Sequence, residues 1–154
     1  MAVTIKNVEL WRSEVANTPG TLAATLTPLA DAGADLRVVM GYRYPGKEKK
    51  AAIEVFPVKG KKSVAAAESA GLKASGIPTL VIEGDNEAGL GRSIAQALAD
   101  AGVNVSFFMA QVVGDRYSAI AGFESQDDAR NAAALIRTRA NSRKGQPPRT
   151  AGSR

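Results

Sequence analysis

Asn17-Thr18-Pro19-Gly20-Thr21-Leu22, followed by Leu29-Ala30-Asp31-Ala32-Gly33-Ala34-Asp35-Leu36, returns later in the chain. There it reads Asn86-Glu87-Ala88-Gly89-Leu90, followed by Leu98-Ala99-Asp100-Ala101-Gly102-Val103-Asn104-Val105. Asn17 and Asn86, Gly20 and Gly89, Leu29 and Leu98, and Gly33 and Gly102 are each 69 positions apart. No insertion therefore separates the paired turns from the paired helix ends. A constant offset across a turn, an apolar-periodic stretch and a helix end points to one folding unit used twice. Met40 and Met109 carry the same offset of 69 into the strand that follows.

Working outward, Leu22, Leu26 and Leu29 recur at helical spacing up to a stop at Gly33. Pro28 falls inside that helix and must kink it or remove a backbone hydrogen bond. The second copy repeats the stripe with Leu90, Ile94, Leu98 and Ala101 and has no proline. Residues 36–44 alternate, Pro45-Gly46 suits a type II turn, and residues 51–58 return as the partner strand. A helix over 63–70 and a brief strand over 72–75 close this unit. The second unit runs strand 79–83, helix to Ala101, strand 104–113, a turn at Gly114-Asp115, and strand 117–123. Ser125 and Asp128 then form a capping box that opens a helix with Ala129, Ala132, Ala133 and Ile136 on one face. No convincing final strand follows it. At the other end, Val3 and Ile5 fall on one face of a strand but Val8 and Leu10 on the other, so either a bulge near Asn7 or a strand starting at Val8 is expected.

The pattern predicts an α+β protein of two ferredoxin-like βαββαβ units, with antiparallel sheets and helices on one face. The expected divisions are residues 1–76, 77–139, and a basic flexible tail over 140–154 that holds Arg143, Lys144, Arg149 and Arg154. With 45% hydrophobic and 23% charged residues, the 154-residue chain is of ordinary globular composition. The absence of both His and Cys excludes Ser-His-Asp triads, Cys nucleophiles and His- or Cys-bound zinc. A carboxylate-bound Mg²⁺ or a Lys nucleophile stays open, but no acidic cluster asks for a metal. No apolar run is long enough to cross a bilayer and the first residues lack a signal-peptide pattern, so the expectation is a cytoplasmic protein with no membrane partner.

On these residues the chain resembles the ACT domain family, as two copies covering most of residues 1–139. The resemblance implies a non-catalytic regulatory module that binds an amino acid or similar small metabolite where domains or subunits meet. It implies no cofactor, no metal and no catalytic residue, a homodimer, and a regulated enzyme as partner. By position, the implied ligand residues are Asn17, Pro19, Gly20, Thr21, Asp35 and Leu36 in copy one. Copy two supplies Asn86, Ala88, Gly89, Leu90, Asn104 and Val105. A glycine beside a helix N-terminus lets a ligand carboxylate approach free N–H groups, and an asparagine amide both donates and accepts. Two departures bear on this: Ala88 stands where the family usually has proline, and Pro28 interrupts the first helix.

Plainer roles compete for the same residues. Gly20 and Gly89 serve equally as strand-to-helix turns that bind nothing, and Asn17 and Asn86 as helix caps. Met40, Phe107, Phe108 and Met109 read as packing residues. The rival function is a structural interaction module with vestigial pockets, whose unpaired last sheet edge docks onto a partner enzyme. The formal charge of +5 and the lysines around residues 47–62 raise a nucleic-acid reading. Strand 51–56 has a single aromatic, so an RNA-binding sheet is not expected. A phosphatase on this fold would want an arginine in the first turn, and neither turn has one.

Overall fold

The break in alternation near Asn7 marks a change of sheet. The computed structural model describes residues 3–142. In it β1 (Val3–Val8) joins a four-stranded sheet ordered β1-β6-β8-β7, built with β6 (Thr79–Asp85), β7 (Val105–Val113) and β8 (Arg116–Phe123). Two residues later β2 (Trp11–Ala16) enters a different sheet, ordered β3-β4-β2-β5, with β3 (Val38–Tyr44), β4 (Lys47–Phe56) and β5 (Lys73–Ala74). Glu9-Leu10 carries none of the residues that a two-residue hairpin demands, so the chain does not fold β2 back along β1.

Residues 8–77 form one compact unit, and residues 3–7 with 78–142 form the other; we call them the first and second units. The division expected at residue 76 thus gains an exchange: the first strand lies in the second unit's sheet. It also answers the expectation of a missing last strand. Read from their hairpin edges, the sheets run β3-β4-β2-β5 and β7-β8-β6-β1, so β1 occupies in the second sheet the place that β5 occupies in the first.

Each unit is an α+β, βαββαβ-type fold. The first unit carries α1 (Thr21–Asp31) and α2 (Gly60–Ser69), and the second α3 (Leu90–Asp100) and α4 (Gln126–Ser142). Leu29, Ile53, Val55, Ala67 and Leu72 centre the first core, with Trp11, Val15, Leu26 and Leu36 packed against it. Leu80, Ile82, Ile94, Leu98, Ala121, Phe123, Ala132 and Ile136 centre the second. Alanines dominate the buried stripe of α4, at positions 129, 132, 133 and 140, which lets the helix lie close to its neighbours. Ser125 opens α4 as expected, its hydroxyl accepting from the Asp128 N–H at 3.0 Å. The helix runs to Ser142, past the boundary expected at 139; the rest of the basic tail, residues 143–154, lies outside the described residues. Pro28 is accommodated within α1, which remains one element.

Candidate functional site

The two bends that decide the fold have matching backbone surroundings. Gly20 and Gly89 each occupy the N-cap position at φ 87° and 83°, in the left-handed region that glycine enters without strain. Ala24 N–H donates to the Gly20 carbonyl at 3.0 Å, and Ser93 N–H to the Gly89 carbonyl at 3.0 Å. Asn17 N–H donates to the Lys49 carbonyl at 3.0 Å, as Asn86 N–H does to that of Asp115 at 2.8 Å. Neither glycine offers a side-chain acceptor, so neither N-cap satisfies its helix's first-turn N–H groups that way.

Beside the first bend lies an open groove of about 200 Å³. One wall is the bend and the start of α1: Asn17, Thr18, Thr21 and Leu22. The other is the β3–β4 pair: Gly41, Tyr42 and Arg43 opposite Ala51, Ala52 and Ile53, with Val15 and Ala16 of β2 beneath. The volume lies below the range typical of drug-sized ligands and suits a small metabolite. Its chemistry is mixed. Asn17 is no helix cap: its Nδ2 donates to the Glu48 carbonyl at 2.8 Å, which fixes the amide and leaves its oxygen as an acceptor. The Thr18 and Thr21 hydroxyls share a hydrogen bond at 2.9 Å. Arg43 contributes the cation in the lining.

Behind the groove, Tyr42 donates to Glu54 Oε2 at 3.0 Å. Glu54 is fully buried on the middle strand, directly across from Arg12. Burial pushes the Glu54 carboxyl up, against the stabilising pull of the Tyr42 hydroxyl and of Arg12. The ion pair is long, with Arg12 Nε 3.9 Å from Glu54 Oε1, and neither atom has a hydrogen-bond partner among the described residues. Tyr44 extends the cluster, donating to Glu14 at 2.9 Å and accepting from Arg12.

In the second unit the register places different residues at the corresponding positions. Val15 faces Ala51 across β2 and β4, and Gly84 faces Tyr117 across β6 and β8. Leu22, second residue of α1, has Gly91, second residue of α3, as its counterpart. Val, Ala and Leu are therefore replaced by Gly, Tyr and Gly. Tyr117 is 6% exposed, its hydroxyl standing 3.7 Å from where a Gly91 Cβ would lie. That hydroxyl has no hydrogen-bond partner among the described residues, and burial raises its pKa. A second cavity, lined by Val3, Leu90, Ser93, Ile94, Ile136, Arg139 and Ala140, holds about 10 Å³, no more than a water's worth of space.

No family model and no curated protein sequence matches the chain. Solved structures do resemble it. A protein from Bacteroides thetaiotaomicron aligns at TM-score 0.70 and 12% identity, over 88% of this chain and 90% of that one. The ligand-free regulatory subunit of aspartate kinase from Thermus thermophilus aligns at TM-score 0.62 and 19% identity, over 90% and 97%. The regulatory subunit of aspartate kinase from Thermus flavus gives TM-score 0.58 at 19% identity, over 91% and 97%. The shared property is the ACT-type ferredoxin-like fold.

Of the residues singled out by sequence, Asn17 and Thr21 line the groove. Pro19 and Gly20 shape the bend above it and are exposed, Asp35 is exposed and paired with Arg37 at 2.7 Å, and Leu36 packs on the first core. In the second unit Asn86, Ala88, Gly89 and Asn104 are exposed, Leu90 is buried, and Val105 packs on the second core. The sheet-side wall, from Gly41 to Arg43 and from Ala51 to Ile53, was not anticipated. Its signal was the run of small residues in the hairpin, Ala51-Ala52 facing Arg43 and Tyr42, with Gly41 facing Ile53.

Proposed function

We propose that this chain is a non-catalytic regulatory module that receives an amino acid, or a metabolite of that size, in the groove of the first unit. The supporting observation is the open groove beside the Gly20 bend. There the start of α1, the Asn17 amide oxygen, two threonine hydroxyls and Arg43 surround a space of about 200 Å³. The helix N-terminus and Arg43 suit the ligand's carboxylate, and the Asn17 oxygen and threonine hydroxyls suit its ammonium. Pro19 and Gly20 hold the bend open, while Asp35 and Leu36 set where β3 begins; Asn86, Ala88, Gly89, Leu90, Asn104 and Val105 are their counterparts. The solved regulatory subunits of aspartate kinase share the fold, which supports the reading by analogy, along with an enzyme as the regulated partner.

A thermal-shift screen of the twenty amino acids tests this. One of them at a hundred times its Kd should stabilise the protein by about 2.7 kcal/mol, and Asn17→Ala should weaken that response. The absence of a response to any amino acid contradicts the proposal.

A second reading, a docking or dimerisation module, is favoured by β7. This edge strand carries no charge over nine residues and leaves Phe108, Met109, Val112 and Val113 exposed. Such an edge invites strand pairing. We propose a homodimer through it; light scattering should give twice the monomer mass, and Val112→Lys should halve it.

A further inference from the structure

We propose that Tyr117 is a built-in occupant of the second unit's counterpart groove, so that each chain offers a single ligand site, in the first unit. The inference rests on the proposed function for its ligand, and on the register alone for its geometry. Tyr117 grows from the strand position that Ala51 holds in the first unit, and its hydroxyl ends against the first turn of α3. That is the end of the groove at which Leu22 stands in the first unit. Gly84 and Gly91 supply the room: a Val and a Leu at those positions, as in the first unit, would claim the volume that the ring fills. A buried hydroxyl with no hydrogen-bond partner among the described residues gains nothing by its burial, which fits a ring placed for its bulk.

The seating is tested first with p-cresol, the tyrosine side chain as a free molecule, because a cavity of matching shape rebinds the fragment removed from it. Tyr117→Ala should show a rise in Tm with millimolar p-cresol, and the wild-type protein should not. No rise for the variant, or equal rises for both, overturns the assignment, whether or not any amino acid binds. If Tyr117→Ala does not fold, nitration of the wild type with tetranitromethane decides it. Of the three tyrosines, Tyr42 should be modified at least tenfold faster than Tyr117; equal rates overturn it. Ala51→Tyr, which copies the second unit into the first, should then weaken the amino acid found by the thermal screen at least tenfold while leaving the fold intact. Unchanged affinity would show that a ring at this position does not block the groove. A protein that binds no amino acid yet passes the p-cresol and nitration tests would sink the proposed function and keep the plug.

Discussion

The first and second units share their strand order, their glycine bends and the hydrogen bonds around those bends, yet differ in how they fill the space beneath. The first unit places Val15, Ala51 and Leu22 around an open groove; the second places Gly84, Tyr117 and Gly91. A similar exchange of bulk recurs five residues further along the same strands. Val38 faces Phe56 in the first hairpin, and in the second Phe107 faces Gly122, its ring over the glycine. A third difference is polarity. The first sheet pairs Arg12 with Glu54 where the second pairs Val81 with Ile120. A conserved backbone plan thus fixes where a groove can form, and a few side-chain volumes decide whether it is open.

The largest way to break the comparison is to empty the second unit. Tyr117→Ala should cost about 3–5 kcal/mol in a denaturant titration, the range for removing a buried ring. A cost below about 1 kcal/mol would mean that the ring is not packed. Gly122→Ala comes next, because a Cβ there would lie 2.2 Å from Phe107 Cε1. It should cost about 1–3 kcal/mol, and adding Phe107→Val, the residue of the first unit, should recover most of it.

How much of this was legible in the sequence follows from which contacts are local. The bends, helices and hairpins are set by glycines, prolines and periodicity within short windows, and both units were readable from them. The place of β1 was not, because its partner β6 lies some seventy residues away and edge pairing leaves little trace in the strand's own residues. The groove's outer wall was half legible: Asn17 and Thr21 belong to the repeated motif, but Ala51 and Ile53 reach the groove only through the β2–β4 register. The plug was hidden by the repeat itself. The fixed offset of 69 carries Ala51 onto Ile120, whereas the strand registers match it to Tyr117, an offset of 66. The connection between the hairpin strands is three residues shorter in the second unit, which moves Tyr117 out of the alignment that the offset of 69 gives.

The polar contrast is sharpened by pH. Burial raises the Glu54 pKa above that of the unfolded chain, so its contribution to stability is full below the unfolded pKa and is lost as pH rises through the folded one. The difference in unfolding free energy between wild type and Glu54→Gln should therefore turn against the wild type as pH rises from about 4 to 8, and a pH-independent difference would contradict the assignment. The smallest effect is expected from Tyr117→Phe. Removing a buried hydroxyl that has no partner among the described residues should leave stability unchanged or raise it by up to about 1 kcal/mol. A loss above about 1 kcal/mol would show that the hydroxyl is bonded.

The most direct measurement is an amide-resolved NMR titration with the amino acid that most raises the melting temperature. The account predicts shifts at Asn17 to Leu22 and at Gly41 to Arg43, and none at Glu87 to Gly91. Shifts centred on the second bend, or spread equally over both, would contradict it.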